Sequence, residues 1–424
     1  MKRVIIIGLD GVPYHLIHDL AQGGTMPNCH KIIEPGTFRQ MGSSLPEISS
    51  VAWSSIITGV DPGTHGIFGF TDLAPDSYRI VFPNFASLKY PAFWHQNEAR
   101  RSVIINVPST YPAIQLNGVL IAGFVALNLE KAVYPQSFIP TLKDMDYRID
   151  VDYERASESA NYFFNNLSKV LRTRISVCKH LWYNEDWDIF MLVFTGTDRL
   201  MHFFWNAYED KSHRYHKAFL NYFHEIDEAI GKIMNELLDN DSLILLSDHG
   251  FERLDTDVYL NFLLKEEGLL KFKNEQPSSL KDITADTRAF TLDPSRLYLN
   301  IKGKYPKGCV VHKEKEKLLR EIEKMFYSLE FDGKPVIKHC YRAEEIYHGP
   351  FLSQAPDMVL ISNSGFNLRG TLNPAELYAK NNLTGKHTQS DAFLLLKHSS
   401  AILKIPEKPC VTDIVTIINT LQGG

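Results

Sequence analysis

Three aspartates and three histidines occupy settings in which a metal ion could be held. Asp198 and His202 are four residues apart, a spacing that puts both side chains on one face of a helix. Asp248 and His249 are adjacent, Asp10 comes directly after an apolar run, and His387 lies in the turn-like stretch Leu383-Thr384-Gly385-Lys386-His387. Carboxylate and imidazole together form the donor set that Zn²⁺ or Mn²⁺ takes. Each residue alone has a plainer reading. An Asp after a strand caps a helix more often than it binds a metal, a His in a loop is commonly a surface group, and the D-x-x-x-H spacing is weak by itself. The combination points to chemistry, because three carboxylates drawn into one cleft repel. A pair at ~4 Å costs about 4 kcal/mol at an effective dielectric near ~20, so such a cluster needs raised pKa values or cations. Two divalent ions would outweigh three carboxylates and leave a field suited to a phosphate ester.

A hydroxyl that could use that field comes from Leu45 to Gly59. From Ser50 onward this segment reads as helix, which puts Ser49 at a helix N-terminus, where backbone N–H groups favour an anion. The competing reading of Ser49 is a simple helix cap.

The elements that must position these groups are short buried strands leading into polar loops. Val4 to Ile7 runs into Leu9-Asp10-Gly11, Ser102 to Val107 ends at Pro108, Ile189 to Phe194 runs into Thr195-Gly196-Thr197-Asp198, and Leu243 to Leu246 runs into Ser247-Asp248-His249-Gly250. Continuous β-branched and Leu runs suit strands covered on both faces, as in a parallel sheet. Between them, Phe219, Phe223, Ile226, Ile230, Ile233 and Leu237 recur at helical spacing. This alternation predicts an α/β fold, a doubly wound, mostly parallel sheet with helices on both faces. Ligands of such sheets sit outside the carboxyl ends of the strands, where Asp10, Asp198 and Asp248 fall. Residues 261–350 read differently: an amphipathic helix carrying Leu318, Leu319, Ile322, Met325 and Phe326 comes after a charge run, Lys313 to Lys317, that reads as a solvated helix entry. They are expected to form a smaller α+β insertion, a cap over the site, with 1–260 and 351–424 as the core.

Composition narrows the classes. Of 424 residues, 44% are hydrophobic and 22% charged, which excludes a disordered or fibrous chain. Lys plus Arg is 45 against 50 Asp plus Glu, a net charge of -5, so no basic excess is present to bind a nucleic-acid polymer. Cys29, Cys178, Cys309, Cys340 and Cys410 are dispersed and form no CxxC pair, as expected in a reducing compartment. No apolar stretch approaches the ~20 residues of a membrane helix. The run Val4 to Leu9 is cut by Asp10 before it could serve as a signal sequence. These features predict a cytoplasmic protein with a small-molecule substrate and no membrane partner; they carry no signal of oligomeric state.

Taken in order, Leu9-Asp10-Gly11, the Pro46 to Gly59 segment, Pro62-Gly63-Thr64-His65-Gly66-Ile67, Asp198-x-x-x-His202, Ser247-Asp248-His249-Gly250 and Gly385-x-His387 resemble the successive motifs of the type I phosphodiesterase/nucleotide pyrophosphatase family, within the alkaline phosphatase superfamily. Thr25-Met26-Pro27-Asn28 resembles another early signature of that family. The resemblance implies an alkaline phosphatase-like core and a two-metal hydrolase cleaving phosphodiester or pyrophosphate bonds. It implies Asp198, His202 and His387 as ligands of one metal, and Asp10, Asp248 and His249 as ligands of the other. That second metal also binds the nucleophile. Zn²⁺ is the metal favoured by resemblance, with Mn²⁺ as an alternative. The family nucleophile, usually threonine, stands nine residues before the Thr of a Thr-Gly pair; counting back from Thr58 gives Ser49 and a phosphoserine intermediate. Two positions depart from the family pattern: Ala52 stands where nucleotide pyrophosphatases usually carry a phosphate-contacting Asn, and Met201 stands where the family has Gly. Arg199 and Lys386 are candidates to replace that Asn, weighed against surface charges, while His65 and Trp53 read as structural. The alternatives are a phosphomonoesterase or phosphotransferase on the same metals, or a binding protein that has kept the fold without activity. The Cys/Ser-x-Pro-x-Arg pattern of sulfatases is not seen around Ser49.

Overall fold

The structure is a computed structural model and describes residues 2–152, 159–398 and 403–423. Two compact units make up the chain. The first comprises Met1–Val60, Asn84–Glu252 and His387–Gly424, and the second Asp61–Pro83 and Arg253–Lys386.

An eight-stranded sheet organises the first unit. Its spatial order is Thr37–Met41, Ala392–Lys397, Ser242–Leu246, Val4–Leu9, Ile189–Phe194, Ser102–Val107, Gly118–Ala122 and Val133–Tyr134. The run from Ser242–Leu246 to Gly118–Ala122 is parallel throughout, and the strands outside it pair antiparallel. The apolar runs are continuous because alternate residues point to opposite faces, and both faces are buried. Ile5, Ile7, Phe190, Leu192 and Leu245 join one core, which takes in Leu16, Leu167, Phe219, Phe223 and Ile226 from the helices Tyr14–Gln22, Ala160–Asn184 and His216–Asn235. Val4, Ile6, Met191, Val193 and Ile244 join the other, with Trp53, Ile56, Ile414 and Ile418 from the helices Ser49–Thr58 and Ile414–Leu421. Each fully buried aliphatic side chain here contributes about 1.5–3 kcal/mol relative to exposure. The expected α/β architecture is thus present. One close approach depends on glycine: a Cβ on Gly8 would collide with the Trp53 ring and meet Val193 Cγ2 at 2.9 Å. Trp53, fully buried, is a core residue.

The second unit is built on a sheet ordered Ala289–Leu292, Arg296–Leu299, Met358–Ser362 and Ile337–Arg342, all antiparallel. The expected amphipathic helix forms as His312–Tyr327 and buries Leu318, Leu319, Ile322 and Phe326 in the same core as Phe290, Leu297 and Leu299. This unit is wider than residues 261–350. It extends toward the C-terminus because residues 254–259 pair with Gly365–Arg369. It also takes in the distant segment Asp61–Pro83 because the buried Arg296 guanidinium binds Asp72 Oδ1 at 2.7 Å and the Thr71 carbonyl at 2.7 Å. Burial pushes Asp72 up to about 6 even beside that guanidinium. Among the described residues all five cysteines are free, and no helix is long and apolar enough to cross a membrane.

Candidate metal centre

Three adjacent strands of the first unit, Ser242–Leu246, Val4–Leu9 and Ile189–Phe194, end side by side, and most of the polar groups are mounted just beyond their carboxyl ends. Asp10 is the next residue after its strand, and its N–H donates to the Phe194 carbonyl at 3.2 Å. The Thr197 hydroxyl lies 2.6 Å from the Asp10 carbonyl and ties the neighbouring loop to it. The helix Gly196–Glu209 starts two residues after its strand, so Asp198 stands in its first turn and His202 one turn on. Asp248 and His249 fill the gap between Ser242–Leu246 and the strand beginning at Gly250. His387 lies on the strand Gly385–Thr388.

All six expected ligand residues, with Ser49, come together. Ligand atoms of Asp10, Asp248 and His249 lie within 4.8 Å of one another, as do those of Asp198, His249 and His387. His249 therefore borders both groups rather than one. His202 joins through Nε2, which is 3.0 Å from His387 Nε2 and 3.5 Å from Asp198 Oδ1. The His249 and His387 rings stack with centroids 3.8 Å apart.

The backbone fixes which imidazole nitrogens face inward. His249 Nδ1 is 3.0 Å from the Gly250 carbonyl, and His387 Nδ1 is 2.9 Å from the Glu47 carbonyl. A carbonyl only accepts, so each Nδ1 carries the hydrogen and each Nε2 offers a lone pair. Those lone pairs face carboxylate oxygens: His249 Nε2 is 3.3 Å from Asp248 Oδ2, and His387 Nε2 is 3.0 Å from Asp198 Oδ1. Asp248 Oδ2 is fully buried and accepts no hydrogen bond, while Oδ1 takes the Gly11 N–H at 3.0 Å. Acceptors aimed at acceptors around buried carboxylates form a donor set that fits a divalent cation.

The titration behaviour agrees. Burial raises Asp10 well above the usual carboxylate range, and the Asp248 and Asp198 charges add to it. Burial likewise pushes Asp248 up to about 7. Burial holds His249 down to about 4 and also lowers His387, although Asp198 opposes this. Asp198 differs: burial would raise it, but attraction to His202 and to the Arg199 guanidinium lowers it instead.

Ser49 is the first residue of the helix Ser49–Thr58, whose N-cap is Ile48. Its hydroxyl does not cap the helix. It lies 3.2 Å from Asp10 Oδ1 and 3.2 Å from His249 Nε2. Ala52 and Met201 are buried and apolar.

The other candidates separate. Lys386 Nζ donates to Ser362 Oγ at 3.0 Å within the second unit. His65, in the same unit, is buried, accepts from the Ile67 N–H at 3.2 Å and is pushed down to about 3 by burial, as a structural turn residue would be. Asn28, from the Thr25–Asn28 signature, braces buried Asp227 through its N–H at 3.0 Å and Nδ2 at 2.9 Å. Arg199 is no surface charge: its side chain is 14% exposed, and Nη1 reaches Asp198 Oδ2 at 3.2 Å. Asp150 and Phe124 also contact it; neither lies in a motif or at a diagnostic spacing, so the sequence carries no sign of them.

The sequence model of the type I phosphodiesterase / nucleotide pyrophosphatase family matches residues 4–389. No curated protein sequence matches the chain. Among solved structures, phosphonoacetate hydrolase from Sinorhizobium meliloti 1021 in complex with phosphonoacetate is similar at a TM-score of 0.68 and 16% identity, with 99% of this chain and 95% of that chain covered. Murine ectonucleotide pyrophosphatase/phosphodiesterase 5 is similar at 0.57 and 13%, and its human counterpart at 0.58 and 13%, each covering 100% of this chain and 95% of the other.

Proposed function

Since the chain belongs to the type I phosphodiesterase/nucleotide pyrophosphatase family, and is on that ground a phosphate-ester hydrolase of the alkaline phosphatase superfamily, we propose that it cleaves phosphodiester or pyrophosphate bonds of small molecules through a phosphoserine intermediate on Ser49. The observation that carries this reading is the position of Ser49 Oγ, 3.2 Å from both Asp10 Oδ1 and His249 Nε2. Asp10, Asp248, His249 and the Ser49 hydroxyl would hold one divalent cation, and Asp198, His202 and His387 the other; the mixed nitrogen and oxygen donors suit Zn²⁺, with Mn²⁺ the alternative. When bound, such cations stabilise charge on phosphoryl oxygens and lower the pKa of a coordinated hydroxyl.

The chain's own groups supply the rest. The helix start and the hydrogen bond that the Ser49 hydroxyl donates to Asp10 Oδ1 orient Oγ, with His249 Nε2 beside it, so its attack is pre-oriented. Oγ forms a bond to phosphorus while the bond to the leaving alcohol or phosphate breaks, and the hydroxyl proton ends on the leaving oxygen. The seryl phosphate ester still carries the other substituent of phosphorus until water cleaves its Ser49 O–P bond, restoring the hydroxyl and releasing the phosphate monoester. Two inversions give net retention at phosphorus. The His249 and His387 imidazoles are oriented by the backbone carbonyls of Gly250 and Glu47, which keep each Nε2 turned inward.

The neighbours support a small substrate: murine ectonucleotide pyrophosphatase/phosphodiesterase 5 was solved with AMP in an inactive threonine-to-alanine form, and the bacterial hydrolase with phosphonoacetate. The net charge of -5 argues against a nucleic-acid polymer. The second reading is a monoesterase or phosphotransferase on the same metals, left open because Ala52 stands where nucleotide pyrophosphatases usually carry a phosphate-contacting Asn. Assays of matched aryl phosphate diesters and monoesters, with wild type and Ser49→Ala, test both. The proposal expects diester turnover to exceed monoester turnover and to vanish in Ser49→Ala.

A further inference from the structure

Among the described residues, Asp198 is the carboxylate of the cluster to which a guanidinium is bonded, and that guanidinium is itself held on several sides. Its two oxygens are divided. Oδ1 faces His387 Nε2 at 3.0 Å and His202 Nε2 at 3.5 Å, while Oδ2 accepts from Arg199 Nη1 at 3.2 Å. Asp150 Oδ2 accepts from Arg199 Nη2 at 2.9 Å and Nε at 3.3 Å. Asp150 is in turn fixed through Oδ1, which takes the Val151 N–H at 2.9 Å. The Phe124 ring lies under the guanidinium with its centroid 4.2 Å from Cζ. A side chain held in this way acts as a fixed charge rather than a mobile surface cation.

We propose that Arg199 is a positioning residue that leaves Asp198 a single inward-facing oxygen, Oδ1, and makes the Asp198–His202–His387 side of the centre the weaker, more readily exchanged cation site. The inference rests on the two-cation reading above. The asymmetry comes from charge. One side offers two carboxylates, Asp10 and Asp248; the Arg199 charge also reaches Asp10, but among the described residues no guanidinium is bonded to either. The other offers one carboxylate, and a guanidinium already shares it. Repulsion between that fixed positive charge and a divalent ion is felt at any orientation of Asp198. Engagement of Oδ2 by Arg199 also removes the option of two-oxygen chelation.

The test is Zn²⁺ titration of the metal-stripped full chain against a chromophoric chelator at about pH 8, well above the ordinary carboxylate range. Wild type, Arg199→Gln, Arg199→Lys and His202→Ala are compared. Wild type is expected to bind two ions with unequal affinity, and His202→Ala to lose the weaker step only. Arg199→Gln should tighten the weaker step by about tenfold or more, and Arg199→Lys, which keeps the charge, should stay near wild type. A generally damaged fold would weaken binding, so tightening is not a structural side effect. Two ions in wild type with an unchanged or weaker second step in Arg199→Gln would overturn the inference alone, as would equal tightening in Arg199→Lys. Fewer than two ions in wild type would overturn the two-cation reading and this inference with it.

Discussion

His249 and His387 stack face to face, ring centroids 3.8 Å apart, and each is turned inward by a backbone carbonyl behind it. His249 stands within ligand distance of both carboxylate groups, whereas His387 joins only one. Their substitutions should therefore differ. His387→Ala is expected to remove one bound cation and leave the other. His249→Ala should weaken both, by about 10–100-fold at the site where it is an outlying partner. Metal content after dialysis against a fixed free Zn²⁺ concentration measures this.

The raised carboxylates set a pH dependence. Asp248 titrates near 7 in the fold against an ordinary value of 3.8, with burial as the main cause. A folded-state pKa above the unfolded one gives a stability contribution that is complete below 3.8 and lost as pH rises through about 7. Metal-stripped protein should thus lose melting temperature between those limits. Added cation, which displaces the protons, should reverse the trend. Thermal melts of stripped protein across pH should slope downward, and Asp248→Asn should flatten the slope.

His65 gives the opposite sign in the second unit. Burial lowers it to about 3 from 6.5, so the unfolded chain takes up its proton first. Its contribution is present above 6.5 and lost as pH falls toward 3. Acid unfolding of wild type should be steeper over that window than that of His65→Gln, as monitored by circular dichroism.

Gly8 tests the packing under the site. A methyl group there would collide with the Trp53 ring. Since Ser49 and Trp53 share one helix, Gly8→Ala should cost about 1–3 kcal/mol of stability and lower turnover by displacing that helix. Chemical denaturation and steady-state rates check the two effects; a stable variant with wild-type turnover would contradict the role of this contact.

The features legible in the sequence are those that leave a local signal. The strands Val4–Leu9, Ile189–Phe194 and Ser242–Leu246 announce themselves because burial on both faces demands unbroken apolar runs, and parallel pairing then brings their carboxyl ends, with Asp10, Asp198 and Asp248, to one edge. The bracing of Arg199 by Asp150 and Phe124 leaves no such trace, because it depends on loops that meet only in the fold. The bounds of the second unit were likewise hidden: Arg296 and Asp72 are far apart along the chain, and neither carries a local sign of the pairing. The tautomers of His249 and His387 depend on the carbonyls of Gly250 and Glu47, which any residue type could provide.

The proposed cycle turns on Ser49 forming the covalent bond to phosphorus. Acid quenching of the metal-loaded enzyme during turnover of an aryl phosphate diester, with mass spectrometry of the peptide spanning Leu45 to Gly59, measures it directly. One phosphoryl-containing adduct on Ser49 is expected during turnover, absent in Ser49→Ala, which keeps both cations and loses activity by about 10³-fold or more. Turnover by Ser49→Ala near the wild-type rate, with an unmodified peptide, would contradict it.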